Sequence, residues 1–187
     1  MEVNNFDAVK VIFDLPNFDP TTDNFWFGQI IKRRKDNPDL DRSERMIKSY
    51  YIRDYSHLKE AEDSIISICK LNHARFYLNP NVRSWNNVAL ELISATAKAI
   101  KDKQASSITT KIDSICGYLM CPNTPKIWVI DCDSPFDDNI MHAVNDKLIT
   151  ILPTVNGKHI LTYPFPKFDK EMIHTNSPTL IYFNDTL

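Results

Sequence analysis

The stretch Lys126-Ile127-Trp128-Val129-Ile130-Asp131-Cys132-Asp133 places an apolar run directly before two aspartates that are separated by one residue. Side chains of a β-strand alternate between its two faces, so Asp131 and Asp133 are expected to project to one face and Cys132 to the other. Two neighbouring carboxylates repel each other and lose solvation, and a divalent cation relieves both penalties. The stretch therefore predicts a strand that ends in a metal site.

The composition predicts one globular domain over residues 1–187, with 43% hydrophobic and 25% charged residues. Only three glycines are present, which argues against the glycine-rich phosphate loops of many ATPases, GTPases and dehydrogenases. The net charge of −2 gives no global attraction for nucleic acid, so any such binding must use local patches. Four cysteines, no long apolar run and no secretory pattern at Met1 predict a cytoplasmic protein without a membrane partner.

Hydrophobic periodicity predicts helices over residues 57–71 and 86–101, the second starting after Ser84, and a third from Ser134 to about Leu148. Apolar runs predict strands at 9–13, 50–53, 74–78, 126–131, 149–152, 159–165 and 179–183. Residues 102–125 are polar and irregular in pattern. This order of elements predicts an α+β fold with a sheet that carries helices mainly on one face.

Two further pieces of sequence have the chemistry to join the aspartates. Asn156-Gly157-Lys158-His159 is typical of a hairpin turn, in which glycine supplies a positive φ, and it delivers a histidine to the head of a strand. A third carboxylate comes later, and the sequence does not decide between Asp169 and Asp185. The charged segment 32–45 opens with four consecutive cations and is either a solvated loop or an arm that contacts phosphate.

Taken in order, these motifs resemble the catalytic core of the archaeo-eukaryotic primase superfamily, the primase-polymerases. That family is marked by an apolar strand ending in Asp-x-Asp or Asp-x-Glu, then a small-residue turn with a histidine, then a later apolar-Asp element. Residues 127–133 look like the first motif and 156–159 like the second, whereas the third is ambiguous here. The scarcity of glycine and the many asparagines are compatible with a small phage or mobile-element member.

The resemblance implies an RRM-like antiparallel or mixed sheet over residues 71–187, preceded by an accessory part at 1–70. It implies a nucleotidyltransferase that uses nucleoside triphosphates on single-stranded DNA or RNA. Asp131 and Asp133 would hold Mg²⁺ or Mn²⁺, completed by Asp185 or Asp169, since oxygen ligands suit these ions. The candidates for contacting the nucleotide are His159, Lys158, Arg83 and Arg75.

Other interpretations remain open from the residues alone. Asp133 can simply help cap the next helix, His159 can be an ordinary strand histidine, and Arg75 and Arg83 can form salt bridges. The chain can be a catalytically inactive descendant that binds nucleic acid or a protein partner, including as an inhibitor. A metal-dependent nuclease or phosphoesterase would recruit further ligands, for which the sequence offers His142 and His174. Structural zinc is not expected, because the candidate ligands lack typical spacing; they are Cys69, His73, Cys116 and Cys121.

Overall fold

The computed structural model describes residues 1–15, 23–122, 124–133, 138–166, 173–174 and 177–185. The helices are α1 (Lys10–Phe13), α2 (Tyr55–Asn72), α3 (Trp85–Lys101), α4 (Lys111–Tyr118) and α5 (Asp138–Val144). The strands are β1 (Glu2–Asn4), β2 (Asn24–Arg33), β3 (Glu44–Ile52), β4 (Arg75–Leu78), β5 (Arg83–Ser84), β6 (Trp128–Cys132), β7 (Leu148–Pro153), β8 (Lys158–Thr162), β9 (Ile173–His174) and β10 (Thr179–Asn184). Short 3₁₀ segments cover Ala105–Thr110 and Asn145–Lys147.

Two antiparallel sheets organise these strands. The large sheet has the order β1-β10-β4-β2-β3, with β5 paired to the start of β2. The small sheet has the order β7-β8-β6-β9. The α+β class predicted from the sequence is thus confirmed. The expectation of helices mainly on one face is wrong, because α2 packs on one face of the large sheet and α3 and α4 pack on the other. The first 52 residues supply β1, β2 and β3 of the large sheet. The N-terminal part and the C-terminal β10 therefore belong to the same sheet.

The long strand β2 shows why the layers stack as they do. Trp26 and Ile30 project to one face, where they pack with Leu58 and Ile65 of α2. Phe25 and Phe27 project to the opposite face and pack in a second cluster with residues of α3 and α4. That second face continues along β2 beyond the helices, where it is left open toward the small sheet. Strand alternation therefore places the open end of this face between the two sheets.

Buried asparagines join the two sheets. The Asn5 Nδ2 donates to the carbonyl of Pro153 in the small sheet and to that of Leu180 in the large sheet, both at 2.9 Å. Asn81 makes a reciprocal pair with the backbone of Ile127, donating from Nδ2 at 2.9 Å and accepting at Oδ1 at 2.8 Å. Buried amides that satisfy backbone groups in this way fix a specific arrangement. They set how far apart the sheets lie.

Helix boundaries follow local capping chemistry. Asp54 accepts from the backbone N–H of His57 at 2.8 Å, and Ser84 accepts from that of Asn87 at 3.4 Å, so each serves as an N-cap. The α2 helix ends at Asn72 and is followed by the capping residue His73, whose backbone is left-handed with φ of 46°. None of the helices in the described part of the chain is both long enough and apolar enough to cross a membrane.

Most predicted elements are confirmed, but the strands β1, β2 and β9 were not predicted, and two segments differ from their expected conformation. The predicted strand at 9–13 is wrong, because Lys10–Phe13 forms a single helical turn that buries Ile12 and Phe13. The polar segment 102–125 contains the unpredicted helix α4, which buries Ile115 and Cys116. In both places a few apolar residues reach the core from a segment too short for periodicity to decide its conformation. The predicted helix start at Ser134 lies outside the described residues.

Candidate functional site

A cleft of about 440 Å³ lies between the two sheets. Its first wall is the open face of the large sheet, from β2, β4 and the start of β10. Its second wall comes from β6, from the head of β8 and from the turn between β7 and β8. The open face of β2 and the aspartate-bearing end of β6 therefore look onto the same space.

Asp131 and Asp133 both line this cleft, as strand alternation predicts. The intervening Cys132 points the other way and is buried with Ile130 and Ile160 in the core behind the small sheet. The Asp131 side chain is 46% exposed, so its carboxylate is open to the cleft. The two carboxylates supply oxygen donors at one strand end, which is the donor type that Mg²⁺ and Mn²⁺ prefer.

His159 stands directly opposite Asp131 in the antiparallel pairing of β6 with β8. Its Nε2 lies 3.6 Å from the Asp131 Oδ1. Its Nδ1 lies 2.9 Å from the Thr179 hydroxyl, and the Leu180 backbone N–H donates to the same nitrogen at 3.4 Å. A backbone N–H can only donate, so Nδ1 acts as an acceptor and the ring proton sits on Nε2, facing Asp131 and the cleft.

Gly157 brings the turn of residues 154–157 against the end of β6. A Cβ built on Gly157 would lie 2.0 Å from the Cys132 carbonyl oxygen and 2.9 Å from the Asp133 Cα. None of the three glycines has a positive φ, so the turn does not use glycine for the reason expected from the sequence. Gly157 is required because its backbone passes too close to Cys132 and Asp133 for any side chain.

Cations line the wall opposite the aspartates. Along β2 the open face carries Gln29, Ile31 and Arg33 in strict alternation, and Lys35 follows just past the strand. Arg75 lies on the neighbouring β4, where it pairs in register with Ile31. The sequence leaves the charged segment 32–45 as either a solvated loop or an arm that contacts phosphate. In the structure it belongs to a hairpin, and two of its first four cations line the cleft.

Two of these cations are held by specific partners. The Arg33 Nη1 donates to the Tyr77 hydroxyl at 3.1 Å. Arg75, with 5% of its side chain exposed, donates from Nε and Nη2 to the two carboxylate oxygens of Asp36, at 2.7 and 2.6 Å. Arg75 also lies over the Phe183 ring at 4.4 Å. These contacts fix the guanidinium planes before any ligand arrives.

The pKa of Lys35 reflects the charges that surround it on this side of the cleft. Burial lowers the pKa of the Lys35 ammonium below its usual value, and the nearby Arg75 and Arg33 lower it further. Asp36 and Asp133 act in the opposite direction, so the field of Asp133 reaches Lys35. A polyanion bound between the walls would offset the repulsion among the three cations.

The remaining candidates lie away from this cleft. Arg83 is fully buried, and its guanidinium donates to the carbonyls of Asn81, Cys116 and Gly117. Burial lowers its pKa to about 10. This position does not support a role as a phosphate ligand. Lys158 precedes His159 on β8, so alternation directs it to the opposite face of the small sheet.

The third carboxylate is not identified. Asp185 follows the far end of β10, six residues beyond Thr179, which corresponds to roughly 20 Å of extended chain. There its Oδ1 lies 3.6 Å from the His73 Nε2. Asp169 and the side chain of His174 lie outside the described residues, and His142 is exposed on α5. Within the part of the chain that is described, no three histidine, cysteine, aspartate or glutamate residues form a metal-binding group.

The three cysteines considered for zinc are all buried. Cys69 of α2 and Cys121 lie in the main core cluster, and Cys116 of α4 lies in the cluster between β2 and α3. Burial raises the pKa of the Cys69 and Cys116 thiols to about 12. A thiol with so high a pKa stays protonated at neutral pH and is a poor nucleophile.

Sequence reasoning missed several cleft residues. Arg33 and Lys35 stand in the basic run of residues 32–35, and the run itself does not distinguish these two cations from Lys32 and Arg34. The signal was present, because alternation from Ile31 already directs residues 33 and 35 to one face. Tyr77 and Gln29 carried no such signal, because each reaches the cleft only through the pairing of β2 with β4.

Comparisons with protein-family models, with curated proteins and with solved structures found no match to this chain.

Proposed function

We propose that this protein is a metal-dependent nucleotidyltransferase of the primase-polymerase type, acting on single-stranded nucleic acid. One observation carries the proposal: a single cleft presents two carboxylates and a histidine on one wall, and on the other three cations, with Glu44 of β3 beside Arg33. Such a cleft suits a ligand that carries both phosphates and a divalent ion. Nucleoside triphosphates are the common ligands with that chemistry.

The division of labour follows from the two walls. Arg33, Lys35 and Arg75 bind the phosphates of the incoming nucleotide and neutralise charge that builds up on the departing pyrophosphate. His159 donates its Nε2 proton to a phosphate oxygen, with its ring held by Thr179 and Leu180. The cleft volume of about 440 Å³ falls within the range of small-molecule sites.

Asp131 and Asp133 would hold Mg²⁺ or Mn²⁺, and the third carboxylate that completes the site is not identified. A bound ion of this kind would polarise the reacting phosphate and favour attack by a strand 3′-oxygen. The aspartates place that chemistry at the C-terminal end of β6, opposite the wall that carries Arg33, Lys35 and Arg75. In this proposal the four-stranded sheet of β6 to β9 represents the RRM-like part of the core.

The experiment measures nucleotide addition to primed and unprimed single-stranded DNA, with labelled nucleotides and Mg²⁺ or Mn²⁺. The test variant is Asp131→Asn/Asp133→Asn, and the control is Asp63→Asn/Asp146→Asn, which removes two exposed carboxylates outside the cleft. We expect addition by the wild type and the control, with a loss of at least about 10³-fold in the test variant. Strand cleavage in place of addition would support the nuclease alternative and overturn the proposal.

A second candidate is a catalytically inactive nucleotide- or nucleic-acid-binding module. The observation in its favour is the position of Asp185, which pairs with His73 at the far end of β10 and not with the two aspartates. In that case the wild type and the Asp131→Asn/Asp133→Asn variant would bind nucleotide equally and neither would add it to a strand.

A further inference from the structure

The loop between β2 and β3 carries Lys35 to the edge of the cleft, and two side chains tie this loop to the sheet. Asp36 forms the bidentate pair with Arg75, with both side chains more than 90% buried. Asn37 donates from Nδ2 to the carbonyls of Arg33 and His73, at 3.1 and 2.9 Å. The backbone of the loop also folds onto Arg33, whose carbonyl accepts from the N–H groups of Asp36 and Asn37 at 3.1 and 3.0 Å.

The position of Asp36 is unexpected for a phosphate-binding wall. Its negative charge lies among the cations and lessens their attraction for an anion, as its effect on Lys35 shows. Judged by charge alone, the cleft would bind phosphates more tightly without it. The buried, bidentate pair with Arg75 indicates that the role of Asp36 is geometric. The carboxylate orients the Arg75 guanidinium and fixes the loop that carries Lys35.

We propose that Asp36 and Asn37 are positioning residues that preorganise Arg33, Lys35 and Arg75 for an extended polyphosphate. This inference rests on the proposed function, which assigns the cations to the nucleotide phosphates. The charge of Asp36 weakens the attraction of the wall for an anion, but its pair with Arg75 fixes the spacing of the cations. Asn37 holds the same loop and carries no charge. Neither residue contacts the reacting atoms.

The charge effect and the geometric effect have opposite signs, so one substitution separates them. Asp36→Asn keeps the size of the side chain, removes one negative charge and weakens the pair with Arg75. Asp39→Asn makes the same change in charge on the same loop at an exposed residue. If Asp36 acts only through charge, both variants bind anions more tightly than the wild type. If Asp36 positions the cations, Asp36→Asn binds more weakly than Asp39→Asn.

The dissociation constant for inorganic tripolyphosphate is measured by calorimetry on the full chain without metal. We expect Asp39→Asn to bind as tightly as the wild type or slightly more tightly. We expect Asp36→Asn to bind about tenfold more weakly than Asp39→Asn, since loss of preorganisation outweighs the added charge. In nucleotide addition, Asp36→Asn should raise KM far more than it lowers kcat, which a general loss of structure would not do.

Two further variants keep the test decisive if Asp36→Asn folds poorly. Asn37→Ala changes no charge, and we expect it also to weaken tripolyphosphate binding several-fold, whereas Asp36→Glu should restore part of the affinity. Equal or tighter binding by Asp36→Asn than by Asp39→Asn would overturn the inference, as would unchanged binding by Asn37→Ala. Nucleotide addition without any binding of tripolyphosphate by the wild type would overturn this inference alone. Binding without nucleotide addition would overturn only the proposed function.

Discussion

Replacing Gly157 by alanine tests how the turn before β8 sets the aspartate end of β6. The added Cβ would lie 2.0 Å from the Cys132 carbonyl oxygen, whereas an unstrained carbon–oxygen contact is about 3.3 Å. The turn and the strand end must therefore separate by roughly 1.3 Å, the difference between these two distances. Overpacking of this size costs about 2–3 kcal/mol, and here the obstacle is backbone, which cannot rotate away.

The same displacement moves Asp133, whose Cα would lie 2.9 Å from the new methyl group. A misplacement of about 1 Å at a reacting centre lowers rates by on the order of 100-fold. We therefore expect Gly157→Ala to reduce nucleotide addition by about that factor in protein that is still folded. Guanidinium denaturation gives the change in stability, and the assay with Mg²⁺ or Mn²⁺ gives the change in rate.

Gly117→Ala is the matched control, because a Cβ on Gly117 would meet nothing within 4 Å. Gly117 lies in α4, so alanine should leave stability unchanged or raise it by up to about 1 kcal/mol, through its higher helix propensity. The reasoning is refuted if Gly157→Ala unfolds at the same denaturant concentration as the wild type. It is also refuted if Gly117→Ala is the more damaging of the two.

Arg83→Met should lower the free energy of unfolding by about 3 kcal/mol, because two buried carbonyls and one partly buried carbonyl lose their donor. KM for nucleotide in the folded protein should stay unchanged, and a raised KM would restore Arg83 as a ligand. Lys35→Met should weaken tripolyphosphate binding without lowering the melting temperature, because it removes a cation that burial and its neighbours disfavour. Since the Lys35 pKa is lowered, wild-type affinity should begin to fall as pH rises at a pH below 10.5, and this decline should be absent in Lys35→Met.

The aspartate end of β6 could be predicted because its signal is local. An apolar run fixes the strand, and a period of two then fixes the common direction of Asp131 and Asp133. The register that sets His159 opposite Asp131 is different, because it depends on how β8 pairs with β6, two strands that α5 and β7 separate in the chain. The sequence indicated that these residues could meet, but the contact itself is a property of pairing between strands.

The sequence names Arg75 as a candidate ligand, but it does not reveal the wall that Arg75 belongs to, because that wall is built from residues far apart in the chain. Arg33 and Arg75 are 42 positions apart, and they meet only because β2 and β4 are neighbours in the large sheet. Arg83 shows the reverse difficulty. An arginine near a predicted helix start looks like a ligand, yet its environment of backbone carbonyls comes from the C-terminal end of α4, a helix that the sequence did not reveal.

The two walls also explain why the cleft depends on the N-terminal part of the chain. The resemblance that pointed to the site covers residues from about 71 onward, which supply the carboxylates and the histidine. Arg33, Lys35 and Asp36 come from the hairpin of β2 and β3, which that resemblance leaves as an accessory. Asn5 then joins β7 to β10 across the gap between the sheets. Without the N-terminal strands Arg75 would be the one cation left of the three, so Arg33 and Lys35 come from a part of the sequence that lies outside the motifs of the resemblance.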